Sequence, residues 1–150
     1  MDNIFNTPFE VSLRVLLTLE ASSREWVSSD WIAAADFITV YCKDFGLADN
    51  NLHGENAYKY SEFALRRDLV RKALKSLVSR RLVHVKAASN GFVYALSKPG
   101  GEYCAGFESE YAQSYRESAA ITKQFLNEKS EREILSLINR HSVLSLQRSN

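Results

Sequence analysis

The segment from residue 74 to residue 100, LKSLVSRRLVHVKAASNGFVYALSKPG, constrains the fold of this chain more than any other. A basic helical pattern ends within it, and two short stretches of alternating residues follow. This period-two alternation predicts two strands, and the Asn90-Gly91 pair between them predicts a tight hairpin turn. If that pair is the centre of a type I′ turn, Ala87 pairs with Tyr94. One face of the hairpin is then apolar and consists of Val83, Val85, Ala87, Phe92, Tyr94 and Leu96.

Three helices are predicted before the hairpin. The first begins at Thr7-Pro8, because a Thr-x-x-Glu pattern with proline at the first helical position marks a helix N-terminus. The second begins near Ser29 and ends at Gly46, and the third covers residues 61–82. This order of elements indicates a winged helix-turn-helix, in which the third helix is the recognition helix and the hairpin is the wing. The predicted fold class is therefore mainly α with a small β-hairpin.

Further helices are predicted after the hairpin, beyond a turn at Pro99-Gly100-Gly101. An apolar stripe on such helices must cover the domain, pair with a second copy or dock on a partner, and the pattern favours none of these. The chain is thus predicted to contain a winged-helix domain, 1–98, and a C-terminal helical extension, 99–150, packed on that domain or on a partner. The partner-helix candidates are Tyr111, Tyr115, Ile134, Leu137 and Ile138.

Basic charge is concentrated between Lys59 and Lys86, although the whole chain has a formal net charge of only +1. That segment carries +7 and the rest of the chain −6. A local basic face of this kind contacts either DNA, through phosphates and guanine edges, or an acidic protein surface. The predicted basic face consists of Arg66, Arg67, Arg71, Lys72, Lys75 and Lys86, and the wing tip of Ser89, Asn90 and Gly91. The wing tip itself is nearly uncharged, which disfavours a wing that grips DNA.

The sequence lacks the patterns of common catalytic and cofactor sites: no phosphate-binding glycine loop, HExxH, nucleophile elbow or CxxC. His53, His84 and His141 are isolated and are expected on the surface. Cys42 and Cys104 are expected to be half-buried reduced thiols. There is no signal-peptide pattern and no apolar run of roughly 20 residues. We therefore expect a cytoplasmic protein that is not an enzyme, with no cofactor, metal, small-molecule substrate or membrane association.

Short motifs are spread over residues 7–120: P-F-x-x-x-L-R, a Leu-His pair, an acidic residue before Arg-Arg, S-R-x-L-V, G-x-x-Y-x-L/A and Y-x-x-x-Y-R. They fall on Pro8, Phe9, Leu13, Arg14, Leu52, His53, Glu62, Arg66, Arg67, Leu77, Ser79, Arg80, Leu82, Val83, Gly91, Tyr94, Tyr111, Tyr115 and Arg116. Together they resemble the middle component of bacterial ABC-three-component systems, the Lamassu-type defence operons. The resemblance adds the loop residues Leu52 and His53 to the candidate site.

The resemblance implies a small non-catalytic winged-helix subunit that bridges an SMC/Rad50-like ATPase and an effector, often a nuclease, in defence against phages and plasmids. ATP and magnesium would then belong to the ATPase. A second similarity leaves an alternative open. The segment YALSKPG, residues 94–100, is similar to the Y-x-L-T-x-x-G of MarR- and PadR-like regulators, whose helices after the wing form a dimer. The alternative function is therefore a dimeric winged-helix transcriptional regulator.

Overall fold

A computed structural model of the chain describes residues 6–54 and 59–148, with side chains as far as residue 144. The described part is mainly helical, with a small three-stranded antiparallel sheet. A short 3-10 helix, Cys42–Phe45, follows the second α-helix. The other elements are α1 (Pro8–Ala21), β1 (Val27–Ser28), α2 (Ser29–Val40), α3 (Phe63–Ser79), β2 (Val83–Ala88), β3 (Gly91–Leu96), α4 (Lys98–Ala105), α5 (Glu110–Leu126) and α6 (Glu131–Arg148). The prediction of a mainly α fold with a small hairpin is confirmed at this level.

Side-chain caps begin the first two helices where the sequence predicts them. The Thr7 hydroxyl oxygen accepts a hydrogen bond from the Glu10 N–H at 3.2 Å, so α1 begins at the predicted position. The Ser28 hydroxyl oxygen accepts from the Trp31 N–H at 3.0 Å and starts α2. Each cap satisfies an N–H group that has no partner within its helix. Gly46 ends the 3-10 helix with a φ of 73°, a left-handed conformation that favours glycine.

The hairpin forms, but its predicted register is wrong by two residues. Ala87 pairs with Phe92, so the two turn residues are Ser89 and Asn90. A type I′ turn needs positive φ at both central residues, and neither of these has it. Gly91 instead has a φ of 128° as the first residue of β3. Because the shift is two residues, each side chain stays on its predicted face. The sheet also contains β1, which was not predicted and which pairs with β3.

The predicted turn at Pro99-Gly100-Gly101 is wrong, because these residues form the first turn of α4. The Ser97 hydroxyl oxygen caps this helix by accepting from the Gly100 N–H at 3.0 Å. Gly100 is buried against Leu82, the residue before β2, and a Cβ atom at this position would lie 2.0 Å from the Leu82 carbonyl oxygen. Only glycine allows the helix to approach the preceding backbone so closely.

One continuous apolar core extends through the described chain, and α2 lies at its centre. Residues 31–40 are all buried, because α2 packs against α1, α3, α5 and α6. Three of the predicted partner-helix candidates belong to this core: Tyr115 and Ile134 are 0% exposed and Ile138 is 3% exposed. Their prediction as partner contacts is therefore wrong, because the apolar stripes of α5 and α6 cover this chain's own core. Tyr111 and Leu137 are half-buried. The predicted division at residue 98 stays a prediction.

Candidate functional site

Arg66 does not lie on the predicted basic face. Its side chain is 2% exposed, and its Nη1 donates to Asp36 Oδ2 of α2 at 3.2 Å. The helical repeat explains this burial, because Arg66 falls in the same row of α3 as the buried residues Val70, Ala73 and Leu77. The neighbouring Arg67 is rotated away from the core by about 100°, as one step along an α-helix requires.

The two other arginines of the basic face form ion pairs with a carboxylate at the start of α2. Arg67 makes a bidentate contact with Asp30, with distances of 3.1 Å from Nε to Oδ1 and 2.8 Å from Nη2 to Oδ2. Arg71 Nη2 lies 3.3 Å from the same Asp30 Oδ1. Lys72 lies 3.5 Å from Asp68, and both of these side chains are largely exposed. Part of the predicted positive charge is therefore neutralised within the chain.

Lys86 is also separated from the basic residues of α3. Successive side chains of a strand point to opposite faces, so Lys86 and Val85 point in opposite directions. Val85 faces α3, whereas the Lys86 ammonium lies 4.2 Å from the centroid of the Trp26 ring. This distance is typical of a cation–π contact. The predicted basic face is therefore not one surface, because Arg66 is buried and Lys86 lies on the other side of the hairpin.

Three of the remaining cations, Arg71, Lys72 and Lys75, line an open groove between α3 and the hairpin, which we call the α3–hairpin groove. Within the hairpin's predicted apolar face, Val83 is buried, but Val85 is 40% exposed and Phe92 is 63% exposed. The distal half of the hairpin extends beyond the core, so its apolar side chains face the groove instead. The groove is lined by Ser29, Asp68, Arg71, Lys72, Lys75, Val78, Val85, Phe92 and Tyr94.

The predicted wing tip, Ser89, Asn90 and Gly91, is exposed at the end of the hairpin. It borders a second open depression, which is lined on its other sides by the start of α2 and the first turn of α6. Residues 87–91 include no charged side chain. A contact between this tip and a nucleic acid would therefore depend on backbone groups and the Ser89 and Asn90 side chains.

The most distinctive polar feature of the structure lies in the core, around Asp36. This carboxylate accepts hydrogen bonds from Arg14 Nε at 3.0 Å, Arg66 Nη1 at 3.2 Å and the Tyr115 hydroxyl at 2.7 Å. The Tyr115 oxygen lies 2.9 Å from the Thr18 hydroxyl. These five residues, on α1, α2, α3 and α5, form what we call the Asp36 network.

The Asp36 network holds its charges in fixed states. Burial on its own would raise the pKa of Asp36, but Arg14 and Arg66 outweigh this effect and hold the pKa below its usual value. Burial would likewise lower the pKa of Arg14, and Asp36 reverses this, so the pKa is raised. Burial raises the pKa of Tyr115 well above its usual value. Two arginines, one carboxylate and a neutral phenol are therefore buried together.

The Leu52-His53 pair ties the loop after α2 to this network. The Leu52 N–H donates to the Val40 carbonyl oxygen at 3.0 Å, and its side chain packs on the core. His53 Nε2 lies 2.7 Å from the Tyr111 hydroxyl, and its Nδ1 lies 3.4 Å from Arg66 Nη2. Burial, Arg14 and Arg66 together lower the pKa of His53 to about 3. The expectation of an isolated surface histidine is therefore wrong, because His53 is a neutral, partly buried member of the polar cluster.

Sequence reasoning did not identify Arg14 and Asp36 as an ion pair, although a signal was present. Each is a single charged residue within a long apolar stretch, VSLRVLLTL and WIAAADFITV. A charge that helical spacing places in the core needs a partner of opposite sign, so the two could have been matched. Residues that carry the family resemblance also meet here, from four separate segments: Arg14, His53, Arg66, and Tyr111 with Tyr115.

The two cysteines and His141 are also buried or stacked, whereas His84 is exposed as expected. Cys42 and Cys104 are free thiols that are fully buried, rather than half-buried as expected. Burial raises the pKa of Cys104 to about 12 and raises that of Cys42 as well. His141 packs against the Phe45 ring, with ring centroids 4.5 Å apart. Among the described residues, no three His, Cys, Asp or Glu side chains are grouped so that they could hold a metal ion. None of the described helices is long and apolar enough to span a membrane.

A family model matches this chain over residues 4–148 of its 150, and its description is ABC-three component (ABC-3C) system Middle Component 2. The chain belongs to this family. It is therefore a component of an ABC-3C defence system, and membership implies partner proteins within that system. No curated protein and no solved structure matched the chain. The resemblance that the sequence motifs suggested is confirmed at the level of the ABC-3C family.

Proposed function

We propose that this ABC-3C middle component is a non-catalytic accessory subunit that bridges an SMC/Rad50-like ATPase and an effector in a Lamassu-type system. The observation that carries the proposal is the family match, which covers residues 4–148 and so almost the whole chain. ATP and magnesium would be bound by the ATPase. The effector would supply the activity that stops a phage or plasmid.

The order of elements supports a winged-helix interpretation of the fold. A helix, a short strand, two helices and a hairpin follow one another as α1, β1, α2, α3, β2 and β3. The sheet order β1-β3-β2 places the last strand in the centre, as in a winged helix. In this interpretation α3 is the recognition helix and the hairpin is the wing, so the α3–hairpin groove is the surface expected to contact a partner.

The chemistry of the buried polar cluster supports a non-catalytic role. A general acid or base works best when its pKa is near the working pH and it can reach a substrate. The pKa of His53 is lowered to about 3 and that of Tyr115 is raised, so neither changes its charge near neutral pH. Asp36 and Tyr115 are buried and bonded to each other. Their arrangement is suited to fixing helices in place.

The alternative function, a dimeric MarR- or PadR-like regulator, is less well supported. In such proteins the helices after the wing build the dimer. Here Tyr115 of α5 and Ile134 and Ile138 of α6 are buried in the core of their own chain. The apolar surface of these three side chains is already covered within the chain, so they are not available to a dimer interface.

The proposal is tested by expressing the tagged chain together with its neighbouring genes and measuring the mass of the purified material. We expect the ATPase and the effector to copurify with the tagged chain in a fixed ratio. When this chain is deleted and the tag is moved to the ATPase, the effector should be lost. Recovery of a bare dimer that binds its own promoter DNA would instead favour the regulator.

A further inference from the structure

We propose that the α3–hairpin groove binds an acidic amphipathic segment of a partner protein, and that DNA is not its ligand. The inference rests on the proposed function, because it names the chemistry of the surface through which this subunit would contact its complex. Three features of the groove carry it: an exposed apolar wall, a cationic rim, and hairpin side chains arranged unfavourably for DNA.

The apolar wall is formed by the hairpin and the end of α3. Phe92 is 63% exposed and Val85 is 40% exposed, and Tyr94 and Val78 continue the same wall into the groove. Phosphates and sugars offer little apolar surface with which to cover a phenylalanine. The side chains of an amphipathic peptide segment can cover it, and a buried aromatic anchor of this kind often dominates the binding energy of an interface.

The opposite side of the groove is a cationic rim on α3. Arg71 and Lys75 are four residues apart, so they lie about one helical turn from each other, and Lys72 lies beside them. Lys75 is exposed, and Arg71 shares Asp30 with Arg67 at 3.3 Å from Nη2 to Oδ1. Asp68, the one carboxylate in the lining, pairs with Lys72 among the described residues. The rim therefore keeps an excess of positive charge. A partner helix with carboxylates four residues apart would match Arg71 and Lys75.

The hairpin lacks the features with which a wing would hold DNA. Residues 87–91 at its tip carry no charge, and Lys86 lies over Trp26 on the face that points away from the groove. On α3, Arg67 is already held by Asp30 in a bidentate ion pair, which a phosphate would have to break. Two or three exposed cations beside an apolar wall provide few phosphate contacts, and phosphate contacts supply most of the affinity of non-specific DNA binding.

The first test is photo-crosslinking within the complex copurified from its operon. A photoreactive p-benzoylphenylalanine replaces Phe92, and in a matched control it replaces Phe9, which is 61% exposed but lies outside the groove. We expect position 92 to crosslink to a partner segment that is rich in Asp and Glu and has an apolar stripe. Position 9 should not crosslink to that segment. A crosslink from position 92 to a basic or uniformly polar segment would overturn the proposal, as would the absence of any crosslink.

The second test compares three variants of the tagged subunit, each verified as folded by circular dichroism. Phe92→Ser and the pair Lys72→Glu and Lys75→Glu should each reduce partner recovery at least tenfold. Lys86→Glu reverses a single charge on the other face of the hairpin and should leave recovery unchanged. Binding to a short DNA duplex is measured in parallel by fluorescence anisotropy.

These measurements distinguish a wrong assignment of the groove from a failure of the proposed accessory function. If the wild-type subunit recovers partners and both groove variants recover them equally well, the groove assignment is wrong but the accessory role stands. The groove is a DNA site if the pair Lys72→Glu and Lys75→Glu loses binding to the duplex, while Phe92→Ser still binds the duplex and the recovery of partners is unchanged in both groove variants. If the wild-type subunit recovers no partner, the proposed function fails, and the inference fails with it.

Discussion

Replacing Asp36 with asparagine should destabilise the fold more than any single change at a surface ion pair. Asp36 faces two arginines, and the side chains of Arg14 and Arg66 are only 1% and 2% exposed. Asparagine keeps the size of the side chain but removes its charge, so two guanidinium groups stay buried without a counter-ion. Removing one partner of a buried ion pair typically costs about 3–5 kcal/mol. This is a large share of the roughly 5–15 kcal/mol that stabilises a typical domain.

The loss can be measured as a shift of the melting temperature. For a chain of this length, 1 kcal/mol corresponds to a shift of about 2–4 °C, so the expected decrease is about 6–20 °C. Asp30→Asn is the matched control, because Asp30 also contacts two arginines but is 29% exposed. A partly exposed pair of this kind is worth about 1 kcal/mol or less. Thermal unfolding followed by circular dichroism at pH 7 distinguishes the two variants.

The reasoning is refuted if Asp36→Asn lowers the melting temperature no more than Asp30→Asn does. A triple variant identifies the cause of a large effect. Arg14→Met, Asp36→Leu and Arg66→Met together replace the three charges with apolar side chains of similar volume. Since no charge is then left unpaired, much of the stability lost in Asp36→Asn should return.

Two further predictions concern the loop and α4. The pKa of His53 is lowered to about 3, so the unfolded chain binds a proton below pH 6.5 that the folded chain does not. His53 therefore does not reduce the free energy of unfolding above pH 6.5. As the pH decreases from 6.5 toward 3, the free energy of unfolding falls by up to about 1.4 kcal/mol per pH unit because of this group. In urea titrations between pH 4.5 and 7, His53→Gln should reduce this slope, and an unchanged slope would contradict the lowered pKa of His53. Gly100→Ala places a Cβ 2.0 Å from the Leu82 carbonyl oxygen and should cost about 1–3 kcal/mol or more, whereas Gly101→Ala meets nothing closer than 4.0 Å and should be neutral or stabilising. Equal unfolding midpoints for the two alanine variants would contradict the close approach of α4 to the Leu82 backbone.

The features that the sequence predicts correctly are those that depend on neighbouring residues. The cap at Thr7 is a local pattern and occurs where expected. Gly46 has the left-handed conformation of a helix stop, but it ends the 3-10 helix, whereas the second α-helix already ends at Val40. The alternation in β2 and β3 likewise places each side chain on its predicted face. Local hydrogen bonds and backbone conformation determine these features, so a short stretch of sequence contains the information they require.

The features that the sequence misses depend on contacts between distant segments. Arg66 looks like one more cation in a basic helix until Asp36, thirty residues earlier, is placed opposite it. Gly100 looks like a turn residue because the carbonyl oxygen that requires it belongs to Leu82. Phe92 alternates as a core residue should, but the hairpin extends past the helices that would cover it. In each case the partner, or its absence, is set by tertiary packing.

The position of Tyr115 in the Asp36 network also determines when this chain can fold as it is synthesised. The Tyr115 hydroxyl that bonds Asp36 lies 79 residues further along the chain, and the α5 side chains close the core over α1 and α2. A nascent chain that has reached only residue 98 therefore contains Arg14, Arg66 and an apolar surface that α5 does not yet cover. Such a chain is exposed to aggregation until α5 has been made, because contacts between distant residues form late. We expect a fragment that stops after the hairpin to be insoluble on its own.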